Sequence, residues 1–265
     1  MLLTRDLRLF LRAWERHHVR FGVVCSRPRL SLCSSLFPTA CVEATVQELS
    51  AIRHRDDFAA AIVDDTLVYR FPYGHSNPQK RGARNPHFLN AAILQRSALS
   101  MLESSLPLRA IILPIPHIYT TEGLSFDGFM QRLTDFLAPL PAGFQYALEL
   151  HNREYLLPEY FECLRRYGII HVLSDSVTMQ PVLDQIQLPH VLTTDRVVVR
   201  TTVKGDPEWR LGIIETVRRC IIEKKDLSVY LSDGNVQRME SRLGTLMEML
   251  SGDLAKLSLI RRKAA

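Results

Sequence analysis

Short apolar runs rich in β-branched and small residues recur along the whole chain. This composition favours buried strands. The runs lie at 20–26, 40–46, 58–63, 108–116, 146–151, 169–174, 196–202 and 226–232. Amphipathic helical patterns separate the later runs, at 126–140, 157–168, 208–225 and 236–254. Strands that alternate with helices predict an α/β protein with a parallel sheet.

The number of runs favours a closed barrel. Eight strand–helix units in about 250 residues are typical of a (β/α)₈ TIM barrel, and this chain has 265 residues. The first three connections are less regular, and 27–39 is a poor helix. An open doubly wound sheet is therefore the alternative. We predict a single TIM barrel over 20–250.

The two ends of the chain lie outside this alternation. Residues 1–19 repeat leucine and aromatic side chains at helical spacing, with arginines between them, which predicts an amphipathic helix packed on the barrel. An Arg-rich start can also be a mitochondrial transit peptide, but Asp6 and Glu15 argue against one. Residues 251–265 are expected to end the last helix and form a basic tail, so that 1–265 make one domain.

Charge and cysteine usage restrict the class of protein. The formal net charge of +5 permits an anionic partner without requiring one. The five cysteines show no C-x-x-C spacing, which predicts reduced, buried thiols in a cytoplasmic protein. No apolar run approaches the roughly 20 residues of a membrane-spanning helix, so no membrane partner is expected. The sequence names no cofactor.

Polar residues occupy inward-facing positions of three predicted strands. Strand side chains alternate between the barrel interior and the helix layer, and functional groups lie at the carboxyl ends of the strands. The apolar residues of 146–151 share one face, which leaves Glu149 and His151 inside. Glu43 and Arg200 are in the inward phase of the second and seventh strands. We therefore predict two carboxylates around one guanidinium, with Arg200 as the only cation inside the wall.

Two interpretations of these carboxylates remain open. Glu43 and Glu149 could act as general acid and base, because a confined carboxyl group can have a raised pKa. They could equally form a structural ion pair with Arg200, since an arginine partner makes a buried carboxylate tolerable.

A basic loop follows the third predicted strand. Lys80, Arg81 and Arg84 lie within 75–88, with histidine and aromatic residues nearby. This composition suits a phosphate group or a nucleic-acid strand, because it combines charge with stacking surfaces. A solvated basic loop is the alternative.

Other chemistry has weaker signals. His117, His151, Asp175 and Glu149 lie near strand ends, but no H-x-H or H-x-x-x-H spacing accompanies them, so no metal site is predicted. Cys25 ends the first strand, where a nucleophile is conceivable and a buried thiol is the commoner outcome. The sequence contains no P-loop, G-x-G-x-x-G or G-x-S-x-G motif.

Four segments in order resemble the YecE-like family, known as domain of unknown function 72. They are VEAT at 42–45, YRFPYGHSNPQKRGARNPHFL at 69–89, ELHNREYLLPEYFECLRRYGIIHVLSD at 149–175 and VVVR at 197–200. The resemblance is strongest from about 68 to 250. It implies a TIM barrel that keeps Glu43, Glu149 and Arg200. The activity of that family is not established.

The chain departs from the family pattern at several polar positions. The resemblance implies lysine at Val63, glutamine at Pro114 and arginine at His151. It also implies an asparagine pair where Ser232 and Asp233 stand. These departures indicate that a chemistry shared by the family could be altered or lost in this chain.

The functional expectation is a hydrolase or lyase that acts on an anionic, phosphate-bearing substrate. Acid–base work is assigned to Glu43 and Glu149, beneath the loop 75–88. Substrate binding is assigned to Arg200, His151, Lys80, Arg81 and Arg84. The alternative is a non-catalytic, divergent barrel that binds nucleic acid or a protein partner through the same loop.

Overall fold

The computed structural model describes residues 5–26, 37, 39–50, 58–97, 108–233 and 241–252. Eight strands pair in parallel in chain order, and the last pairs with the first to close a barrel. The strands are β1 Val19–Ser26, β2 Thr39–Ala44, β3 Phe58–Ile62, β4 Leu108–Ile115, β5 Tyr146–Leu150, β6 Ile170–Ser174, β7 Arg196–Thr202 and β8 Asp226–Ser232. The predicted TIM barrel is confirmed, and the open sheet is not formed.

Helices follow most of the strands. They are α1 Arg5–Glu15, α2 Val46–Ser50, α3 Ala91–Ser97, α4 Phe126–Leu137, α5 Pro158–Arg166, α6 Val182–Gln187, α7 Pro207–Ile222 and α8 at 241–252. No helix in these described stretches has the length and apolar character of a membrane span. The predicted tail lies outside the described residues from 253 onward, as does most of the irregular segment 27–39.

The barrel interior is filled by small and large side chains together. Its buried cluster consists of Cys41, Ala59, Ala61, Ala110, Ile112, Ala147, Ile170, Val172, Val198 and Tyr230. The alanines lie on the adjacent strands β3, β4 and β5. Their small volume leaves room for the buried Tyr230 ring from β8, as dense packing requires.

The amphipathic helix α1 packs on β1, as its pattern predicts. Leu11 and Trp14 are almost completely buried. The Trp14 ring makes edge contacts with Phe10 of the same helix and Phe21 of β1, at centroid distances of 5.8 and 6.5 Å. Such aromatic contacts contribute beyond the burial of apolar area and attach the helix to the barrel.

An ionic cluster lies at the amino ends of the strands. Asp226 Oδ1 is 2.6 Å from Arg20 Nη1, and its Oδ2 is 2.7 Å from Arg109 Nη2. The expectation that Arg200 is the only cation inside the wall is therefore wrong. Arg20 is in the inward phase of β1, whereas Arg109 lies at an irregularity in the β3–β4 register, where simple alternation does not hold.

His171 is a neutral histidine buried between β6 and α5. Its Nδ1 is 3.2 Å from the Tyr160 hydroxyl, and its ring makes edge contacts with Tyr160 and Phe161. Its Nε2 has no hydrogen-bond partner among the described residues. Burial lowers the pKa of His171 to about 3, because the apolar surroundings oppose the charged form.

This burial predicts an acid-sensitive fold. The unfolded His171 titrates near pH ~6.5, so between there and pH about 3 only the unfolded chain binds the proton. The contribution of neutral His171 to stability is complete above this pH range and falls by ~1.4 kcal/mol for each pH unit within it. Lowering the pH from about 7.5 to about 5 should reduce the free energy of unfolding of both wild type and His171→Phe. The reduction should be ~2 kcal/mol smaller in His171→Phe than in wild type. Urea unfolding at the two pH values measures this difference.

The exposed His190 supplies the control. His190→Gln should keep the pH dependence of wild type. Equal losses of stability in wild type and His171→Phe would contradict a neutral, buried His171.

Candidate functional site

A buried carboxylate marks the carboxyl end of β5. Glu149 lies inside the barrel with its side chain only 5% exposed, while Tyr146, Leu148 and Leu150 pack in the outer core. The strand is buried on both faces, so the charge requires compensation from another element.

Arg200 of β7 supplies that compensation and links three strands. Its Nη1 is 2.5 Å from Glu149 Oε2, and its Nη2 contacts Glu43 Oε1 from β2. The Arg200 side chain is 15% exposed, whereas that of Glu43 is 49% exposed. One guanidinium therefore holds a buried carboxylate on one side and a half-exposed carboxylate on the other.

His151 engages the remaining oxygen of Glu149. Its Nε2 is 3.1 Å from Glu149 Oε1. The backbone carbonyl of His151 accepts a hydrogen bond from Thr178 Oγ1 at 2.8 Å and lies 2.9 Å from His117 Nδ1. These contacts fix the residue just beyond β5. Both Glu149 oxygens thus have a partner that can carry a proton or positive charge.

These groups surround a cavity of about 330 Å³ at the carboxyl ends of the strands. The lining residues come from six of the eight strands and the loops that follow them. They are Val24, Glu43, Glu149, His151, Ser174, Asp175, Ser176, Arg200, Thr201, Thr202 and Ser232. This is the end of a TIM barrel at which catalytic groups are found.

A second ion pair borders the same cavity. Lys204 Nζ is 3.1 Å from Asp175 Oδ2, and Asp175 is 8% exposed. The Thr202 amide donates to Asp175 Oδ1 at 3.3 Å, and the Thr202 and Ser232 hydroxyls are 3.1 Å apart. Lys204 was not among the predicted site residues because it follows the end of β7, although its position keeps the inward phase of Arg200 and Thr202.

The basic residues of the loop 75–88 lie apart from this cavity and make contacts of their own. Lys80 pairs with Asp65 at 2.8 Å, Arg81 Nε donates to the His75 carbonyl at 2.9 Å, and Arg84 lies 5.0 Å from the Tyr69 ring centroid. Its cavity of about 490 Å³ shares no lining residue with the cavity beside Glu149. The structure thus brings Glu43, Glu149, His151 and Arg200 together, and leaves Lys80, Arg81 and Arg84 apart from them.

A model of the family described as "Protein of unknown function DUF72" matches residues 93–247, which is more than half of the chain. This chain belongs to the DUF72 family. The matched region contains Glu149, His151 and Arg200, whereas Glu43 lies before it. No curated protein matches the sequence.

Two crystal structures support the same fold. A DUF72 family protein from Enterococcus faecalis is 13% identical, with a TM-score of 0.51, 89% of this chain covered and 97% of that chain covered. A DUF72 family protein from Thermotoga maritima is 14% identical, with the same TM-score, 89% of this chain covered and 99% of that chain covered. At this identity the likeness concerns the fold alone.

Two positions that depart from the expected family pattern, Val63 and Pro114, do not line this cavity. Pro114 lies directly opposite Glu149 in the β4–β5 register and offers no side-chain hydrogen bond. Val63, just after β3, is 60% exposed. Among the described residues, none of β3 or β4 lines the cavity, and its polar groups come from β2 and β5 to β8 and the loops that follow them.

The described residues at this end of the barrel do not favour thiol or metal chemistry. Burial raises the pKa of Cys41 to about 11; Arg200 opposes this shift and Glu149 adds to it. The thiol is therefore protonated at neutral pH and a poor nucleophile. Cys25 is also buried. Within the described ranges, no three His, Cys, Asp or Glu side chains converge in a way that could hold a metal ion.

The unequal burial of the two carboxylates predicts unequal effects on stability. Glu149→Gln should lower the free energy of unfolding by ~3 kcal/mol, because it removes the charge from a buried ion pair. Glu43→Gln should change it by less than ~1 kcal/mol, because water screens a half-exposed pair. Urea unfolding at neutral pH measures both, and equal losses would contradict this assignment.

Proposed function

We propose that this DUF72 barrel is an acid–base hydrolase or lyase whose small substrate carries a phosphate or similar anionic group. The observation that carries the proposal is the shared guanidinium of Arg200, held by buried Glu149 and by half-exposed Glu43 at the mouth of the cavity. TIM barrels place their chemistry at this end of the strands.

Substrate binding would proceed by exchange of one carboxylate for another anion. Because Glu43 is half-exposed, its ion pair with Arg200 is screened by water and contributes little stability. Glu149 is buried and keeps Arg200 Nη1 in place. A phosphate group can replace Glu43 at Nη2, since guanidinium groups bind phosphate through charge-assisted hydrogen bonds.

The exchange would leave Glu43 as a free acceptor beside the bound substrate. Glu43 can then take a proton from a water molecule in a hydrolase, or from a carbon atom next to the scissile bond in a lyase. His151 can deliver a proton to the leaving group, and Glu149 orients its ring through the contact with Nε2. In each turnover Glu43 takes one proton and His151 gives one.

The remaining cavity lining fits a small polar molecule. The volume of about 330 Å³ lies at the lower end of the range for ligand sites, ~300–1,000 Å³. Ser174, Thr202 and Ser232 offer hydroxyl groups, and Lys204 adds a cation beside Asp175. A substrate with hydroxyl groups as well as an anionic group would engage both sets.

A non-catalytic barrel that binds nucleic acid or a protein through 75–88 is the second candidate. The exposed Tyr73 ring, 82% accessible, is the observation that favours it, because single-stranded nucleic acid stacks on aromatic side chains. Against it, Lys80, Arg81 and Arg84 already contact Asp65, the His75 carbonyl and the Tyr69 ring, respectively. We therefore place it behind the acid–base enzyme.

The exchange model predicts opposite effects on phosphate binding at Glu43 and at Arg200. Calorimetric titration with inorganic phosphate should show ~10-fold tighter binding in Glu43→Gln, because the competing charge is gone; this corresponds to ~1.4 kcal/mol. Arg200→Met should abolish binding. Against a panel of phosphate esters, Glu43→Gln should lose turnover despite the tighter binding.

The triple variant Lys80→Ala, Arg81→Ala, Arg84→Ala is the matched control and should bind phosphate as wild type does. If the triple variant loses binding and Arg200→Met retains it, the anion site belongs to the loop and the proposal fails.

A further inference from the structure

A larger cavity lies at the opposite end of the barrel. It has a volume of about 730 Å³ and is formed by the end of α1, the start of β7 and the turn between α7 and β8. Its lining consists of Arg16, His17, His18, Asp195, Arg196, Cys220, Ile221, Lys224, Lys225 and Asp226. The proposed reaction at the carboxyl ends uses none of these residues.

Positive charge exceeds negative charge in this cavity. Four lysine and arginine residues and two histidines face two aspartates. Both oxygens of Asp226 already contact arginines, and Asp195 pairs with Lys225 at 2.9 Å.

Three cations remain around the cavity without a negative partner. Within the described part of the chain, Arg16, Arg196 and Lys224 have no carboxylate at ion-pair distance. The Arg196 guanidinium donates only to a neutral acceptor, the Arg109 carbonyl, at 3.0 Å. Because like charges repel, this arrangement favours an anion from outside the chain.

Backbone geometry adds an independent observation. His18 and Lys224 have φ angles of 59° and 56°, the left-handed conformation that follows many helix ends and is normally occupied by glycine. Both line the cavity. The chain therefore adopts a strained conformation at two positions that carry basic side chains, and such strain clusters at binding sites.

The cavity also has an apolar floor. Cys220 and Ile221 are buried beneath the charged groups. Burial raises the pKa of Cys220 to about 12, so the thiol is neutral and packs as an apolar group. An organic ligand could lie against this floor while its charged groups contact the cations above.

We infer that this cavity binds a small molecule bearing two or more phosphate groups. Arg16, Arg196 and Lys224 come from three separate elements and surround one space, which suits several linked anionic groups better than a single one. The volume is within the range of small-molecule sites. This site is independent of the phosphate site proposed beside Arg200.

A purely structural role for the basic residues makes a different prediction. Cations near a helix carboxyl terminus stabilise the helix through its free carbonyls and its dipole. If Lys224 served only the end of α7, its removal would lower stability and leave ligand binding unchanged. The variant Lys224→Gly separates the two roles, because it removes the charge and also relieves the left-handed backbone.

The test is calorimetric titration with pyrophosphate at low ionic strength, together with thermal unfolding. Lys224→Gly should keep or raise the Tm and weaken pyrophosphate binding at least ~5-fold. Arg196→Gln should weaken it similarly. His190 also has a left-handed backbone, with φ of 65°, but it does not line the cavity. His190→Gly should therefore keep pyrophosphate affinity unchanged.

Several results would overturn the inference. One is unchanged pyrophosphate affinity in both Lys224→Gly and Arg196→Gln. Another is a signal lost in Arg200→Met and kept in Lys224→Gly, which would assign pyrophosphate to the other end of the barrel. A third is binding to vesicles of anionic phospholipid without binding to pyrophosphate, which would indicate a membrane surface instead.

Discussion

The ionic bond between Arg200 and Glu149 is the interaction on which the carboxyl end of the barrel depends. A carboxylate that is 5% exposed costs several kcal/mol when it has no partner. Arg200 compensates it from β7 across the barrel interior and contacts Glu43 from β2 with the same guanidinium. Arg200 and Glu149 both line the cavity, and His151 contacts the other oxygen of Glu149. The proposed exchange of anions depends on this bond.

Each end of the barrel contains a cluster of ionic residues, and the two clusters have opposite arrangements of charge. Glu43 and Glu149 share one guanidinium at the carboxyl end, whereas Arg20 and Arg109 share the single carboxylate of Asp226 at the amino end. An apolar layer of small residues and Tyr230 separates the two clusters. The two proposals use this difference: proton transfer is proposed for the carboxylates of the carboxyl end, and anion binding for the cations of the amino end.

The sequence predicted most of the features that depend on strand period, although it missed Arg20 in the inward phase of β1. Apolar runs located all eight strands, and the phase of β5 and β7 placed Glu149 and Arg200 inside. Features outside that period were missed. Arg109 lies at a register irregularity, and Lys204 follows a strand end. Lys80 pairs with Asp65 fifteen residues away, a contact that only the folded loop creates.

A double-mutant cycle on Glu149 and Arg200 measures whether the two buried charges depend on each other. Glu149→Gln, Arg200→Met and the double variant are compared with wild type by urea unfolding at neutral pH. The account predicts that the double variant is more stable than the sum of the single losses implies, with a coupling of ~2 kcal/mol or more, because no buried charge then lacks its partner. Additive losses would show that the two residues do not depend on each other and would contradict the account.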